Sequence, residues 1–191
     1  MEISKTPILG LQIIESELKI DQRGYFMEVY HREKLEKLGI TNEFVQENQS
    51  HSIKGTIRGL HYQLEPRTQA KLIRVVAGEI WDVVVDIRQH SPTFGKWERI
   101  LLSADNRKQL LVPPGYAHGF SVLSDQATVI YKCDNFYHPA SEAGIYCLDP
   151  QLAIDWGLDL KVPNVPILST KDQQLPAFKK ATMNFNYKVL R

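Results

Sequence analysis

The sequence predicts an all-β fold, an antiparallel sandwich or barrel with a few short helices at its periphery. Short runs rich in β-branched and aromatic residues follow one another along most of the chain, a composition typical of strands. Turn-forming residues such as Gly78, Gly95 and Gly115 separate these runs at roughly the 8–12 residue spacing of antiparallel sandwiches. A convincing helical pattern occurs once in the first half of the chain.

That helix is predicted over residues 31–38, where Leu35 and Leu38 lie one turn apart and Gly39 offers a C-cap. Prolines interrupt the chain from Pro150 onward, so this region is predicted to be a C-terminal arm with one or two short helical turns, folded against the barrel. The predicted strands are 24–30, 44–50, 56–63, 71–76, 79–88, 97–103, 109–112, 119–123 and 128–133.

The run 79–88 (EIWDVVVDIR) is the clearest strand, but it carries two carboxylates. Because successive side chains of a strand alternate between its two faces, Asp82 and Asp86 share one face with apolar neighbours. The opposite face is entirely apolar. The two acids therefore need a structural or chemical partner.

Composition excludes several classes of protein. Lys and Arg total 23 against 22 Asp and Glu, and this net charge of +1 gives no electrostatic footprint for nucleic acid or an anionic membrane. No run approaches the ~18 apolar residues of a membrane span, and the N-terminus lacks the apolar core of a signal peptide. Cys133 and Cys147 make neither a disulfide framework nor a metal knuckle. We predict one domain over residues 1–191, located in the cytoplasm.

Two of the six histidines occupy positions suited to proton transfer near neutral pH, His61 inside a strand and His118 at the entrance to the next. The turn Pro113-x-Gly115-x-x-His118 fits the second motif of a cupin barrel, a fold that often holds a metal. Gly59 and Gln63 flank His61, however, so the His-x-His pair of such a metal site is missing. The sequence therefore predicts no metal.

Charged residues interrupt several predicted strands, and each one alone is expected to face solvent. Together they suggest an anion-binding end of a barrel, since Arg and Lys complement phosphate. Arg58 and His61 have opposite parity along their strand, so a regular strand cannot aim both side chains inward. Gly59 between them is the predicted position of a bulge that re-aims one of them.

Ten blocks, in order and at matching spacing, resemble the dTDP-4-dehydrorhamnose 3,5-epimerases, cupin-fold enzymes with a jelly-roll β-barrel. The resemblance runs from about residue 10 to about residue 176. The blocks are 21–28 (DQRGYFME), 44–48 (FVQEN), 58–63 (RGLHYQ), 71–75 (KLIRV), 78–83 (GEIWDV), 86–88 (DIR), 91–95 (SPTFG), 114–120 (PGYAHGF), 131–132 (YK) and 168–172 (LSTKD).

The resemblance implies an acid–base reaction on a dTDP-linked 4-keto-6-deoxy sugar, with neither a redox cofactor nor a metal. It implies that His61 is the base, Tyr131 the acid and Asp172 the carboxylate that pairs with the catalytic histidine. Lys71 is implied to stabilise the enolate oxygen, and Asp82 to be a supporting partner in the same network. Those five residues form the predicted catalytic set.

The resemblance also implies a set of substrate-binding residues, among which Tyr137 stacks on thymine. It further implies a homodimer that exchanges N-terminal strands, so that residues near 23–28 serve the neighbouring subunit's site. The implied binding residues are Arg23, Glu28, Gln46, Glu47, Asn48, Arg58, Lys71, His118, Tyr137, Glu142 and Lys171.

Two alternatives remain open at this point. A relative that inverts a single centre, C3 or C5, would carry the same catalytic residues. A catalytically inactive nucleotide-sugar-binding module would keep the binding residues and lose the acid or the base; His61, Tyr131 and Asp172 are all present, which argues against it.

Overall fold

The computed structural model describes residues 1–8, 10–163 and 165–187, which are mainly strands. Two short α-helices and two 3₁₀ turns, Pro139–Ser141 and Phe178–Lys180, accompany them. The strands are β1 (Glu2–Lys5), β2 (Gln12–Glu15), β3 (Leu18–Asp21), β4 (Gly24–Met27), β5 (Gln46–Ile53), β6 (Ile57–Gln63), β7 (Lys71–Ala77), β8 (Glu79–Asp86), β9 (Trp97–Ser103), β10 (Gln109–Val112), β11 (Tyr116–Val122), β12 (Gln126–Cys133) and β13 (Glu142–Gly144), and the helices are α1 (Arg32–Lys37) and α2 (Thr170–Gln173).

The strands form two antiparallel sheets that pack against each other, which confirms the all-β prediction. One sheet has six strands in the order β1-β2-β10-β7-β12-β5, and the other has five in the order β13-β6-β11-β8-β9. Strands β3 and β4 form a separate hairpin. Neighbouring strands in each sheet are rarely consecutive in the chain, so the site residues come from distant parts of the sequence.

The space between the sheets holds the main hydrophobic core. Ile73 and Val129 of the six-stranded sheet meet Val84, Leu102 and Val122 of the five-stranded sheet, all nearly inaccessible to solvent. Burial of such aliphatic side chains contributes most of the stabilisation that a sandwich of this kind obtains. The polar cavity described below opens into the same inter-sheet space.

The outer face of the five-stranded sheet is also covered, which explains why the face of β8 opposite Asp82 and Asp86 is entirely apolar. Trp156, Phe178 and Phe185 of the C-terminal region pack there against Val83 and Val85 of β8. The predicted C-terminal arm with short helical turns is therefore confirmed. Residues 188–191 of the tail lie outside the described part of the chain.

One of the two unexplained carboxylates, Asp86, has a structural partner set. It is fully buried and accepts hydrogen bonds from the Arg88 guanidinium and from the hydroxyls of Ser91 and Thr93. These donors outweigh the burial that would otherwise raise the pKa of Asp86, and they hold that pKa below its usual value. Asp86 thus anchors the turn after β8.

Element boundaries are the main corrections to the sequence prediction. Strand 24–30 ends at Met27, helix 31–38 spans Arg32–Lys37, and strand 119–123 begins earlier, at Tyr116. Strands β1, β2, β3 and β13 were not predicted. They are short and of mixed polarity, and strand pairing rather than local preference holds them in place.

The outer face of the six-stranded sheet is partly covered by α1. Leu35 of α1 and Ile40 of the segment after it pack there against Ile14, Leu72 and Leu111. The β3–β4 hairpin differs, because its apolar side chains Ile20, Tyr25 and Phe26 are 58–74% exposed. No helix in the described ranges has both the length and the apolar character needed to cross a membrane.

Candidate active site

A bulge in β6 places two site residues on the same cavity. His118 of β11 lies opposite His61, and Phe120 lies opposite Arg58, so β6 contains one residue more than β11 over this stretch. The prediction of a bulge at Gly59 is confirmed. Both Arg58 and His61 consequently line the cavity despite their opposite parity in sequence.

Glycine is required at the centre of this bulge. Gly59 has φ +129°, and a Cβ there would lie 2.5 Å from Gly119 Cα and 2.9 Å from His118 O. Both contacts are with backbone atoms, which cannot rotate away as a flexible side chain can. Two strands of the sheet therefore approach each other here more closely than any side chain permits.

His61 is held by a buried carboxylate from the C-terminal arm. His61 Nε2 lies 2.6 Å from Asp172 Oδ1, and the Asp172 side chain is only 5% exposed. Asp172 lies in the short helix α2, where its own N–H donates to the Ser169 hydroxyl at 3.0 Å. Burial alone would raise the pKa of Asp172, but the hydrogen bond and charge of His61 keep it lowered. An ionised Asp172 favours the tautomer of His61 that carries its proton on Nε2.

Tyr131 and Lys71 come from adjacent strands of the opposite sheet. The Lys71 ammonium lies 5.9 Å from the centre of the Tyr131 ring. Burial lowers the pKa of Lys71, and no described carboxylate forms an ion pair with it. Burial raises the pKa of Tyr131. The site therefore contains a neutral phenol and a desolvated lysine amino group that lacks an internal counter-ion at contact distance.

A second histidine–carboxylate pair lies deeper between the sheets. His118 Nε2 is 2.9 Å and 3.0 Å from the two oxygens of Asp82, whose side chain is fully buried. The register that places Phe120 opposite Asp82 puts the acid on the inner face of β8. His118 is therefore the partner that the carboxylate of Asp82 requires on an otherwise apolar strand.

Most of these residues line one cavity of about 270 Å³, which adjoins a smaller cavity of about 100 Å³. Asp82 lines neither cavity and contacts His118, which lines the larger one. His61, Lys71 and Tyr131 line both cavities. The larger cavity is lined in addition by Ser50, Arg58, His118, Phe120, Ser169, Lys171 and Asp172. The smaller one is lined in addition by Gln46, Asn48, Tyr62, Gln63, Gln69, Tyr137 and Glu142.

A hydrogen-bonded cluster stands at the mouth of the smaller cavity. The Tyr137 hydroxyl donates to Glu142 Oε2 at 2.5 Å, and the Lys171 ammonium lies 2.5 Å from the same oxygen. Burial would raise the pKa of Glu142, but these two donors lower it, and the same contact raises the pKa of Lys171. Tyr137 itself is half exposed, so part of its ring is accessible to a planar ligand.

Three predicted binding residues lie away from the cavities. Arg23 and Glu28 belong to the exposed N-terminal hairpin region, where they pair with Asp21 and Lys34. Glu47 faces the outer side of β5, away from both cavities, and forms an ion pair with Lys132, its cross-strand neighbour. Strand alternation explains the difference, since Gln46 and Asn48 on either side of Glu47 face inward.

The structure also adds residues that were not predicted as site residues, above all Ser50, Phe120, Gln63 and Ser169. Ser50 has the same parity as Gln46 and Asn48, so alternation along β5 could have identified it. Gln63 fixes the segment next to Tyr137, since its amide oxygen accepts the N–H of His138 at 2.7 Å. Ser169 could have been found as the N-cap of the helix that carries Asp172.

None of the described His, Cys, Asp and Glu side chains gather in threes with the geometry of a metal site. The cavity instead combines a histidine with a free nitrogen, a protonated phenol and a buried ammonium. Such a set can remove a proton from carbon next to a carbonyl, stabilise the enolate and return a proton. Fold and site together define an acid–base enzyme built on a jelly-roll β-barrel.

Comparison with known proteins identifies the family. The dTDP-4-dehydrorhamnose 3,5-epimerase family model matches residues 5–180. A dTDP-4-dehydrorhamnose 3,5-epimerase of Shigella flexneri is 50% identical over 173 residues, covering 90% of this chain and 93% of the relative. The crystal structure of a dTDP-6-deoxy-D-glucose-3,5-epimerase from Legionella pneumophila, in complex with dTDP-4-keto-L-rhamnose, is 46% identical with a TM-score of 0.92, covering 98% of this chain and 99% of that one.

The chain belongs to the dTDP-4-dehydrorhamnose 3,5-epimerase family, and the family resemblance and cupin-type fold predicted from sequence are confirmed. A relative named as an epimerase of C3 alone has a lower sequence identity to this chain than the Shigella flexneri enzyme. The dTDP-4-dehydrorhamnose 3-epimerase of Streptomyces niveus is 39% identical over 174 residues, covering 91% of this chain and 82% of the relative.

Proposed function

We propose that this epimerase inverts C3 and C5 of dTDP-4-dehydro-6-deoxy-D-glucose to give dTDP-4-dehydro-L-rhamnose, a step of dTDP-L-rhamnose biosynthesis. The observation that carries the proposal is the single cavity that joins the His61–Asp172 pair to Tyr131 and Lys71. The family membership and the 3,5-epimerases among the relatives support inversion at two centres.

His61 is the proposed base. The substrate's 4-keto group acidifies the C–H bonds at C3 and C5, so a base of moderate strength can remove these protons. Because Asp172 holds Nε2, Nδ1 is the nitrogen left to accept the proton from carbon. The imidazolium that forms is stabilised by the Asp172 carboxylate, as in a catalytic triad.

Tyr131 is the proposed acid, and Lys71 the group that stabilises the enolate. The raised pKa of Tyr131 keeps its phenol protonated and able to donate to the opposite face of the carbanion. Lys71 has no carboxylate at contact distance, so its positive charge is available to the developing oxyanion on C4. The Asp82–His118 pair supports the same end of the cavity, with His118 contacting the sugar.

The remaining inward-facing residues are proposed to hold the nucleotide. Arg58 and Lys171 complement the diphosphate, and Tyr137 stacks on the thymine ring at the mouth. Gln46, Asn48 and Glu142 line the connecting part of the site and offer amide and carboxylate groups to the ligand.

A homodimer with exchanged N-terminal strands is proposed to complete this site. Arg23 and Glu28 line neither of the two site cavities of their own chain, and the hairpin that bears Arg23 exposes Tyr25 and Phe26. An exposed apolar hairpin of this kind is suited to an interface. In the proposed dimer, Arg23 and Glu28 reach the partner's nucleotide.

We also propose that residues 1–191 form one domain that works in the cytoplasm. The two cysteines support this location, because both are buried and form no disulfide, as is usual in a reducing compartment. Cell fractionation of the expressed protein tests the location, and recovery in a membrane or secreted fraction would contradict it.

The function is tested by incubating the protein with dTDP-4-keto-6-deoxyglucose in deuterated water, coupled to an NADPH-dependent reductase. Two deuterium atoms in the product, with L-rhamnose configuration, are expected. Incorporation at C3 alone would identify a 3-epimerase like the Streptomyces niveus relative. A nucleotide-sugar-binding module without activity would bind the ligand and incorporate no deuterium.

A further inference from the structure

Ser50 has an enclosed hydroxyl without a hydrogen-bond partner in the described ranges of the chain. Buried polar groups in folded proteins almost always have a partner, so an orphaned hydroxyl needs an explanation. Ser16 is the other residue with this property, but it does not line the catalytic cavity, whereas Ser50 does.

The neighbours of Ser50 on the inner face of β5 are already engaged. The Asn48 amide contacts Gln46 and Cys133, and the Ser52 hydroxyl accepts a hydrogen bond from Arg58 Nε at 2.9 Å. Ser50 lies between them, opposite Val129 of β12, which offers no polar side chain. A hydrogen-bond partner for the Ser50 hydroxyl can therefore come from a ligand in the cavity.

The other polar groups of this cavity are cations, are engaged within the protein, or are the proposed base and acid, His61 and Tyr131. Arg58, Lys71 and Lys171 are cations that only donate hydrogen bonds. Asp172 is engaged by His61, and the Ser169 hydroxyl accepts from the Asp172 N–H. A ligand hydroxyl must donate as well as accept, and Ser50 is a neutral side chain that can do both.

We infer that Ser50 binds a hydroxyl group of the substrate's sugar ring and so positions the ring between His61 and Tyr131. The inference rests on the proposed function for the identity of the ligand. It assigns Ser50 to the sugar and not to the diphosphate, whose oxygens only accept hydrogen bonds and are better matched by the cations.

The test compares Ser50→Ala with wild type by titration calorimetry, using dTDP and dTDP-glucose as unreactive probes. Loss of the hydrogen bond should weaken dTDP-glucose binding about 5- to 50-fold, while dTDP binding changes less than about twofold. Ser50→Cys, which nearly keeps the volume but is a weaker hydrogen-bonding group, should show the same selective loss. Ser16→Ala is the matched control, since it also removes an orphaned hydroxyl, and it should leave both affinities unchanged.

Equal weakening of both probes would overturn the inference, since it would indicate a phosphate contact, and so would unchanged affinity for dTDP-glucose. The proposed function is judged separately, by turnover of the 4-keto sugar by the wild-type protein. A selective loss of dTDP-glucose binding in Ser50→Ala together with an inactive wild type would refute the epimerase proposal and leave the sugar contact standing.

Discussion

His61 Nε2 and Asp172 Oδ1 lie 2.6 Å apart, although 111 positions separate the two residues in the chain. The histidine comes from a bulged strand in the five-stranded sheet, and the acid from a four-residue helix in the C-terminal arm. The arm therefore completes the site as well as covering the outer face of the sheet.

Replacement of His61 by Asn should lower kcat/KM by about 10²- to 10⁴-fold, because the base is lost while a smaller polar side chain remains in its place. Binding of dTDP, measured by calorimetry, should change little. His90→Asn is the control: His90 is exposed with φ 65°, a conformation that Asn adopts readily, and it should retain full activity. If His61→Asn kept activity within tenfold, about 1.4 kcal/mol in barrier height, His61 would not be the base.

Replacement of Tyr131 by Phe should separate proton exchange from inversion. His61 can still remove a proton and return a deuteron on the same face, so mass spectrometry should detect deuterium in recovered substrate. Inversion should fall by about 10²- to 10⁴-fold. His61→Asn should lose both exchange and inversion. Inversion by Tyr131→Phe at a near wild-type rate would show that another group is the acid.

The alkaline limb of the pH–activity profile should reflect Lys71. Burial lowers the pKa of Lys71, so its ammonium is lost at a lower pH than for a free lysine, whose pKa is about 10.4. Activity should fall as pH rises through that lowered value, because the neutral amine cannot stabilise the enolate. The raised pKa of Tyr131 places its deprotonation at higher pH. In Lys71→Arg the limb should move to higher pH, and an unmoved limb would assign it to another group.

Replacement of Gly59 by Ala should destabilise the fold by about 3 kcal/mol or more, since the new Cβ collides with the backbone of β11. Gly39→Ala is a matched control, because Gly39 also has positive φ (+87°) but a Cβ added there would meet no heavy atom within 4 Å. That change should cost about 1–2 kcal/mol from backbone strain alone. Urea unfolding measures both, and equal losses would mean that the close approach at Gly59 is unimportant.

The proposed strand exchange predicts complementation between two inactive variants. Arg23→Ala impairs the site that its hairpin serves on the partner, and His61→Asn impairs its own site. A mixed dimer of the two contains one site with both residues intact, so co-expression should restore activity above either variant alone. Activity that stays at the level of the separate variants would indicate that Arg23 acts within its own chain or not at all.

Local patterns were sufficient for much of the fold. Strands 97–103 and 109–112 were predicted with the boundaries that the structure has, because their turn residues and apolar content are unambiguous. The glycine between Arg58 and His61 was sufficient to predict a bulge. The strands that were missed, such as β1 and β13, are held by pairing with distant segments and have no strong local preference.

By itself, the sequence determined the all-β class, the residue types of the site and the family to which the chain belongs. The tertiary structure decided which of those residues are in contact. His61 pairs with Asp172 and His118 with Asp82, whereas Glu47 points away from the site and pairs with Lys132. It also revealed the orphaned hydroxyl of Ser50. The reason is physical, because strand alternation and turn chemistry act over a few residues, whereas the contacts of a site depend on register between strands that are far apart in the chain.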